Sequence, residues 1–168
     1  LDFSIDPIER FNITATFRYT NAMIELDGKG LVEKPMTSRF KGVLNLQYAT
    51  NLNKWIFDFT ASLNGSSRVY NFMENMKDKD GNLMYKNGRT PVYPMLYAQV
   101  TRRFKGWDVY LGAENLTNFR QEQVLIGPVD PATGLVNPRM KSFDASCIWG
   151  PLMGIKAHVG FRFTLWKK

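Results

Sequence analysis

Along most of the chain, apolar and polar residues alternate with a period of two. The clearest segment is 155–165. Ile155, Ala157, Val159, Phe161, Phe163 and Leu165 fall on one side of it, and Lys156, His158, Gly160, Arg162 and Thr164 on the other. Side chains alternate faces along a strand, so this segment predicts a strand with one apolar and one polar face. Five more segments follow the rule. Phe11, Ile13, Ala15, Phe17 and Tyr19 alternate with Asn12, Thr14, Thr16, Arg18 and Thr20. Phe40, Gly42, Leu44, Leu46 and Tyr48 share a face opposite the mixed set Lys41, Val43, Asn45 and Gln47. Trp55, Phe57, Phe59, Ala61 and Leu63 oppose Asp58, Thr60, Ser62 and Asn64. From Tyr93 to Phe104 the alternation is weaker, with Leu96, Ala98 and Val100 against Gln99, Thr101 and Arg103. Trp107, Val109, Leu111 and Ala113 oppose Asp108, Tyr110, Gly112 and Glu114. No long segment shows the i, i+3, i+4 spacing of an amphipathic helix, so the expectation is an all-β, antiparallel fold of about six strands.

The connections alternate in length. Residues 50–54 and Lys105-Gly106 make short turns, whereas 21–39, 69–92 and 118–148 are long and carry turn formers. These include Gly28, Gly30, Asp80-Gly81, Asn87-Gly88, Gly127-Pro128, Asp130-Pro131 and Gly134. Asp80-Gly81 is suited to turn a small hairpin inside its loop. Short turns at one end and long loops at the other are the habit of outer-membrane β-barrels. With the short turns periplasmic, Tyr48, Trp55, Phe104, Trp107, Phe163 and Trp166 fall near one rim, and Tyr19, Phe40 and Phe119 near the other. Two aromatic belts suit the two interfaces of a bilayer. The apolar faces would then meet lipid and the polar faces a wet interior.

Composition narrows the choice. The 168 residues fit one domain. No apolar run approaches the roughly 18 residues of a transmembrane helix. One cysteine, Cys147, excludes an intrachain disulfide and a cysteine-based zinc site. The net charge of +7 is spread over strands and loops rather than gathered on a helix or an aromatic platform, which argues against a nucleic-acid partner. The chain does not open on a charged-then-apolar leader, so a signal peptide is expected to be absent or already removed, and six strands cannot close a bacterial barrel. An open sheet would leave edges that lipid does not tolerate. The chain, 1–168, is therefore expected to be either a piece of a larger barrel, which the abrupt start at Leu1-Asp-Phe favours, or not a membrane protein.

Catalytic chemistry is not legible. His158 is the only histidine and sits mid-strand on a polar face. No cofactor or metal set emerges: Asp78, Asp80 and Asn82 open like a calcium loop, but Gly81 is misplaced and the bidentate glutamate is missing. Asn12, Asn64 and Asn115 begin sequons that in bacterial strands are coincidental. Arg18, Lys41, Lys156 and Arg162 on the polar faces would attract an anionic ligand, pair with carboxylates inside the barrel or stay solvated.

The segment Gly112-Ala-Glu-Asn115-Leu-Thr-Asn118, following Asp108-Val-Tyr-Leu111, resembles the penultimate strand of TonB-dependent outer-membrane transporters, with its G-x-x-N-L-x-N motif. The stretch from Trp149-Gly-Pro-Leu-Met153 through Gly160-Phe-Arg-Phe-Thr-Leu165 resembles the final strand of that family, particularly of its Bacteroidetes members. His158, Gly160, Phe163 and Leu165 also resemble the C-terminal signal read by the barrel assembly machinery, although Trp166-Lys-Lys168 follows the usual last position. The resemblance implies a plugged barrel of about 22 strands, of which this chain is the last six. It implies a bacterial outer-membrane location and no enzymatic activity. Its function would be energised import of a scarce nutrient: a metal chelate, a cofactor or an oligosaccharide. The implied partners are lipid, the plug and remaining strands, the TonB complex, the assembly machinery and the small nutrient ligand. Ligand contacts are expected on the long loops, where Tyr70, Phe72, Tyr85, Arg89, Arg120 and Arg139 offer stacking faces and forked donors. The rival readings are a non-transport barrel, such as an adhesin or porin, and a soluble β-barrel or sandwich that binds a ligand.

Overall fold

Seven strands lie side by side in chain order in a computed structural model that describes residues 1–26, 28, 30–77, 80–121 and 145–165. They are β1 (Asp2–Ile8), β2 (Phe11–Tyr19), β5 (Phe40–Ala49), β6 (Trp55–Asn64), β7 (Tyr93–Phe104), β8 (Trp107–Glu114) and β9 (Lys156–Phe163). Every neighbouring pair is antiparallel, and the sheet is an open meander with β1 and β9 at its edges. A separate hairpin, β3 (Met23–Leu26) with β4 (Gly30–Glu33), stands inside the connection from β2 to β5. The all-β, antiparallel expectation holds in this form. The sheet is not closed, and the count of six strands is corrected to seven.

The added strand is β1. Its alternation of Phe3 and Ile5 breaks at Pro7, and its pairing with β2 shifts register between Ile5 and Ile8. Proline cannot donate to a ladder and is tolerated on an edge strand, which is where Pro7 lies.

Register gathers the apolar residues onto one face. Ala15 stands opposite Leu44, Leu46 opposite Phe59, Phe59 opposite Ala98, Val100 opposite Leu111, and Leu111 opposite Val159. Paired residues share a face, so Phe17, Leu44, Phe59, Leu111 and Phe161 all point the same way. The opposite face carries a polar ladder. Asn45 Nδ2 donates to Thr60 Oγ1 at 2.8 Å, Gln47 Nε2 donates to Asp58 Oδ1 at 2.7 Å, and Lys156 pairs with Glu114 at 3.5 Å.

Among the described residues, no hydrophobic core covers either face of the sheet. Among the described residues, the buried hydrophobics are Val69, Met73, Met76, Tyr85 and Cys147, all in the long connections. The apolar sheet face stays open, with Phe17 at 49%, Leu111 at 61% and Phe161 at 62% exposure.

The three short turns lie at one end. Arg10 turns β1 into β2 with φ of 71°, and Gly106 turns β7 into β8 with φ of 85°. A left-handed φ suits glycine and is tolerated at Arg10 only because the turn requires it. Aromatic rings line this rim. Phe104 stacks on Trp107 at 4.2 Å, and Phe57 stacks on Tyr48 at 6.4 Å and on Trp55 at 6.5 Å. Trp166 lies outside the described residues. At the opposite rim Tyr19 is exposed and Phe40 packs over Gly65, where a Cβ would come within 2.7 Å of its ring. Phe119 does not join that belt: it stacks at 4.5 Å on Tyr93, whose register is on the polar face.

Candidate functional site

The long connections gather into a cap over the far end of the sheet. Its first fastener is Glu33, the last residue of β4. Arg39 donates to its two carboxylate oxygens at 3.0 and 2.6 Å, and Arg89 donates to the same two at 3.0 and 2.8 Å. Two forked guanidinium groups around one half-buried carboxylate make strong charge-assisted bonds. Arg89, more than Arg39, holds the Glu33 pKa at about 2, against a smaller opposing effect of burial. Arg89 also donates to Ser66 Oγ at 3.2 Å. Backbone pairing completes the joint, with Ser38 bridged to Ser67 and Arg68 to Arg89.

The second fastener is the buried cluster. Val69, Met73, Met76, Tyr85 and Cys147 pack together, flanked by Tyr70, Met84 and Trp149. Trp149 Nε1 donates to the Tyr85 hydroxyl at 3.3 Å. Burial pushes the Tyr85 pKa above the usual tyrosine value, with that bond working the other way. Tyr93 donates its hydroxyl proton to the Trp149 carbonyl at 3.1 Å, so the strand end and the last loop are tied together.

The third fastener explains the G-x-x-N-L-x-N segment. Asn115 and Asn118 have φ of 54° and 51°, the left-handed region that asparagine tolerates better than most residues. Asn115 Nδ2 donates to the carbonyls of Phe119 and Met153 at 2.8 and 2.9 Å, and its Oδ1 accepts from the Phe119 amide at 3.1 Å. Gln121 Oε1 accepts from the amides of Trp149 and Gly150 at 3.0 and 3.2 Å, while Nε2 donates to the Cys147 carbonyl. These two buried amides close the loop between β8 and β9 at its base.

The candidate ligand residues divide. Tyr70 and Phe72 stack at 5.5 Å with their planes 7° apart, and Phe72 is 46% exposed. Arg120 is exposed. Tyr85 is 2% exposed inside the cap, and both arms of Arg89 are engaged by Glu33. Arg139 lies outside the described residues, as do Asp78, Gly127-Pro128, Asp130-Pro131 and Gly134. Lys77 and Leu83 form an isolated bridge that flanks Asp80-Gly81, with Gly81 at φ of 84°. No group of three or more metal-ligating side chains occurs among the described residues.

The four residues expected to form an assembly signal, His158, Gly160, Phe163 and Leu165, sit on or beside β9. Phe163 is 71% and Leu165 is 93% exposed. His158 lies opposite Gly112 with Nε2 at 3.5 Å from Gln99 Oε1, and Gly160 lies opposite Tyr110. Of the cations on the polar face, Lys156 pairs with Glu114, whereas Arg18 and Lys41 stand directly opposite one another. Like charges so placed are destabilising unless an anion joins them.

Glu33, Gln121 and Arg102 matter here and belong to none of the motifs read from the sequence. Arg102 alone had a legible signal: its parity places it among Leu96, Ala98 and Val100 on the apolar side. No protein-family model, curated protein or solved structure matches this chain. The resemblance to TonB-dependent transporters rests on the sequence segments that carry it.

Proposed function

We propose that this chain is part of the wall of a bacterial outer-membrane transporter of the TonB-dependent kind. The seven-stranded sheet is its lipid-facing wall near the C-terminus, and the cap of long loops is its extracellular rim. One observation carries the reading: a continuous apolar sheet face is bare, while the buried hydrophobic cluster lies in the loops. Burying a large apolar side chain contributes about 1.5–3 kcal/mol. An uncovered face of such residues would forfeit on the order of tens of kcal/mol in water, a deficit that hydrocarbon removes. The two open edges then pair with further strands of the same barrel, since an unpaired edge is not stable in lipid.

The cap supplies the substrate side of this reading. Phe72, stacked on Tyr70, and exposed Arg120 present an aromatic face and a forked cation on loops braced by Glu33 and the buried cluster. Such groups suit a sugar, an aromatic chelate or an anionic cofactor. A plug occupying the interior would bring carboxylates to Arg18 and Lys41.

Detergent dependence tests the reading. The intact protein should fractionate with outer membranes, need detergent to stay dispersed, and run faster on a gel unheated than boiled. Solubility without detergent, with one mobility at both temperatures, would contradict it.

A further inference from the structure

Arg102 is the one charged residue whose register places it on the apolar face of the seven-stranded sheet, among the described residues. It stands opposite Trp55 on β6 and opposite Val109 on β8, and Val109 stands opposite Phe161. The next row toward the sheet centre holds Phe57, Val100, Leu111 and Val159. The next row toward the turns holds Phe104, Trp107 and Phe163. A cation in such surroundings needs a reason.

Its guanidinium carbon lies 4.7 Å from the centre of the Trp55 ring and 5.4 Å from that of Phe104. These rings hold the group by cation–π attraction. They do not satisfy its five N–H donors, and the Arg102 side chain has no hydrogen bond or ion pair among the described residues. Arg103, its neighbour on the polar face, has Asp108 at 3.9 Å. Lys54 and Lys105, both exposed on the adjoining short turns, also lack an ion pair among the described residues. Lys54 is drawn to β7 by its carbonyl, which accepts from the Arg103 amide at 2.9 Å.

Depth fits the chemistry. Arg102 is two residues from the end of β7, about 5 Å below the turn along a tilted strand. The apolar residues from Pro94 to Val100 lie on the side of it away from that turn. A basic residue at this depth meets the boundary between hydrocarbon and headgroups, where its cost is small.

We propose that Arg102, held between Trp55 and Phe104 and assisted by Lys54 and Lys105, binds the phosphodiester of a membrane phospholipid at the short-turn edge of the sheet. The forked guanidinium matches two phosphate oxygens, and the surrounding rings seat the glycerol and upper acyl carbons. The site rests on the proposed membrane placement but requires more than that placement. A wall in lipid needs no fixed headgroup.

The test is a native mass-spectrometry titration of the intact protein in non-ionic detergent. The probe is short-chain phosphatidylglycerol. Diacylglycerol of the same chain length and inorganic phosphate serve as comparators. The parent should bind phosphatidylglycerol more tightly than diacylglycerol, and inorganic phosphate should not displace it. Arg102→Gln should weaken phosphatidylglycerol binding about fivefold, the factor for one basic residue near an anionic surface, and leave diacylglycerol binding unchanged. Arg102→Lys should restore part of the loss. The double substitution of Lys54→Gln and Lys105→Gln, confined to exposed turns, should weaken binding similarly and guards against a folding defect at Arg102. Equal binding by the parent and both glutamine variants, all heat-modifiable, would overturn the site and leave the membrane reading standing. Displacement by inorganic phosphate would overturn the lipid assignment. A parent that stays dispersed without detergent and binds no lipid would overturn both.

Discussion

Arg89 grips Glu33 with both arms of its guanidinium, at 2.8 and 3.0 Å, across a separation of 56 residues. The bond joins the β3–β4 hairpin to the loop between β6 and β7. Arg39 shares the same carboxylate, so a single side chain fastens two of the three long connections. Glu33→Gln should loosen the cap by about 1–2 kcal/mol while leaving the sheet paired. Limited proteolysis of the intact protein would read this as faster cleavage within 21–39 and 69–92. Equal cleavage in parent and variant would count against the clamp.

The same carboxylate gives the cap a pH dependence. Glu33 is lowered from 4.5 to about 2, with Arg89 the largest cause. A depressed folded-state value means the contribution is complete above about 4.5 and is lost as pH falls toward 2 and below. Protection of cap amides from exchange, corrected for the intrinsic rate at each pH, should therefore fall between pH 4.5 and pH 2, and Glu33→Gln should flatten that fall.

Tyr110 lies over Gly160 on the polar face, and His158 lies over Gly112 in the neighbouring register pair. A Cβ at either glycine would run into the ring above it. Each glycine supplies space rather than an unusual φ, and the two rings meet edge to face at 6.2 Å. Gly160→Val should destabilise the β8–β9 pairing by about 1–3 kcal/mol, and Tyr110→Ala in the same molecule should recover part of the loss. The midpoint of urea unfolding, followed by gel mobility, measures both. An unchanged midpoint for Gly160→Val would remove the packing role.

Phe163 and Leu165 project from the sheet near the short-turn rim. In the proposed assembly signal, replacing either with Asp should lower the amount of intact protein inserted in the outer membrane. A charge at that depth costs only about 0–1 kcal/mol by partitioning, so a large drop reports recognition during assembly. Normal surface levels of both variants would reject the signal.

Ligand capture is expected at the exposed part of the cap. Phe72→Ala and Arg120→Ala should each weaken binding about two- to tenfold, with barrel insertion unchanged. A screen of metal chelates, cofactors and oligosaccharides supplies the ligand. Tyr85→Ala should instead cost about 2–4 kcal/mol of cap stability, because it empties a packed cluster. Unaltered affinity in both exposed-residue variants would move specificity to other parts of the protein.

Strand pairing was legible because period two acts locally. The segments from Phe11, Phe40, Trp55, Tyr93, Trp107 and Lys156 all reappear as strands. β1 was hidden by Pro7 and its bulge. The β3–β4 hairpin was hidden because four-residue strands are too short to establish a period. The cap was illegible for another reason. Met73, Tyr85 and Cys147 share a buried cluster without sharing a spacing, and nothing in the sequence links Glu33 to Arg89. Long loops marked where the chain would leave the sheet, but not which of their aromatic and basic residues would hold them together.

The alternation of environments along β5, β6 and β8 tests the central claim most directly. In a Cys147→Ala background, single spin labels at Leu44, Phe59 and Leu111, and at their neighbours Asn45, Thr60 and Tyr110, would be reconstituted in bilayers within the intact protein. Collision rates with oxygen, which concentrates in lipid, and with a water-soluble nickel chelate would then be compared. The account predicts oxygen-dominated rates at Leu44, Phe59 and Leu111, and lower oxygen-to-nickel ratios at Asn45, Thr60 and Tyr110. Nickel-dominated rates at Leu44, Phe59 and Leu111, or occlusion of those sites from both reagents, would contradict a lipid-facing wall.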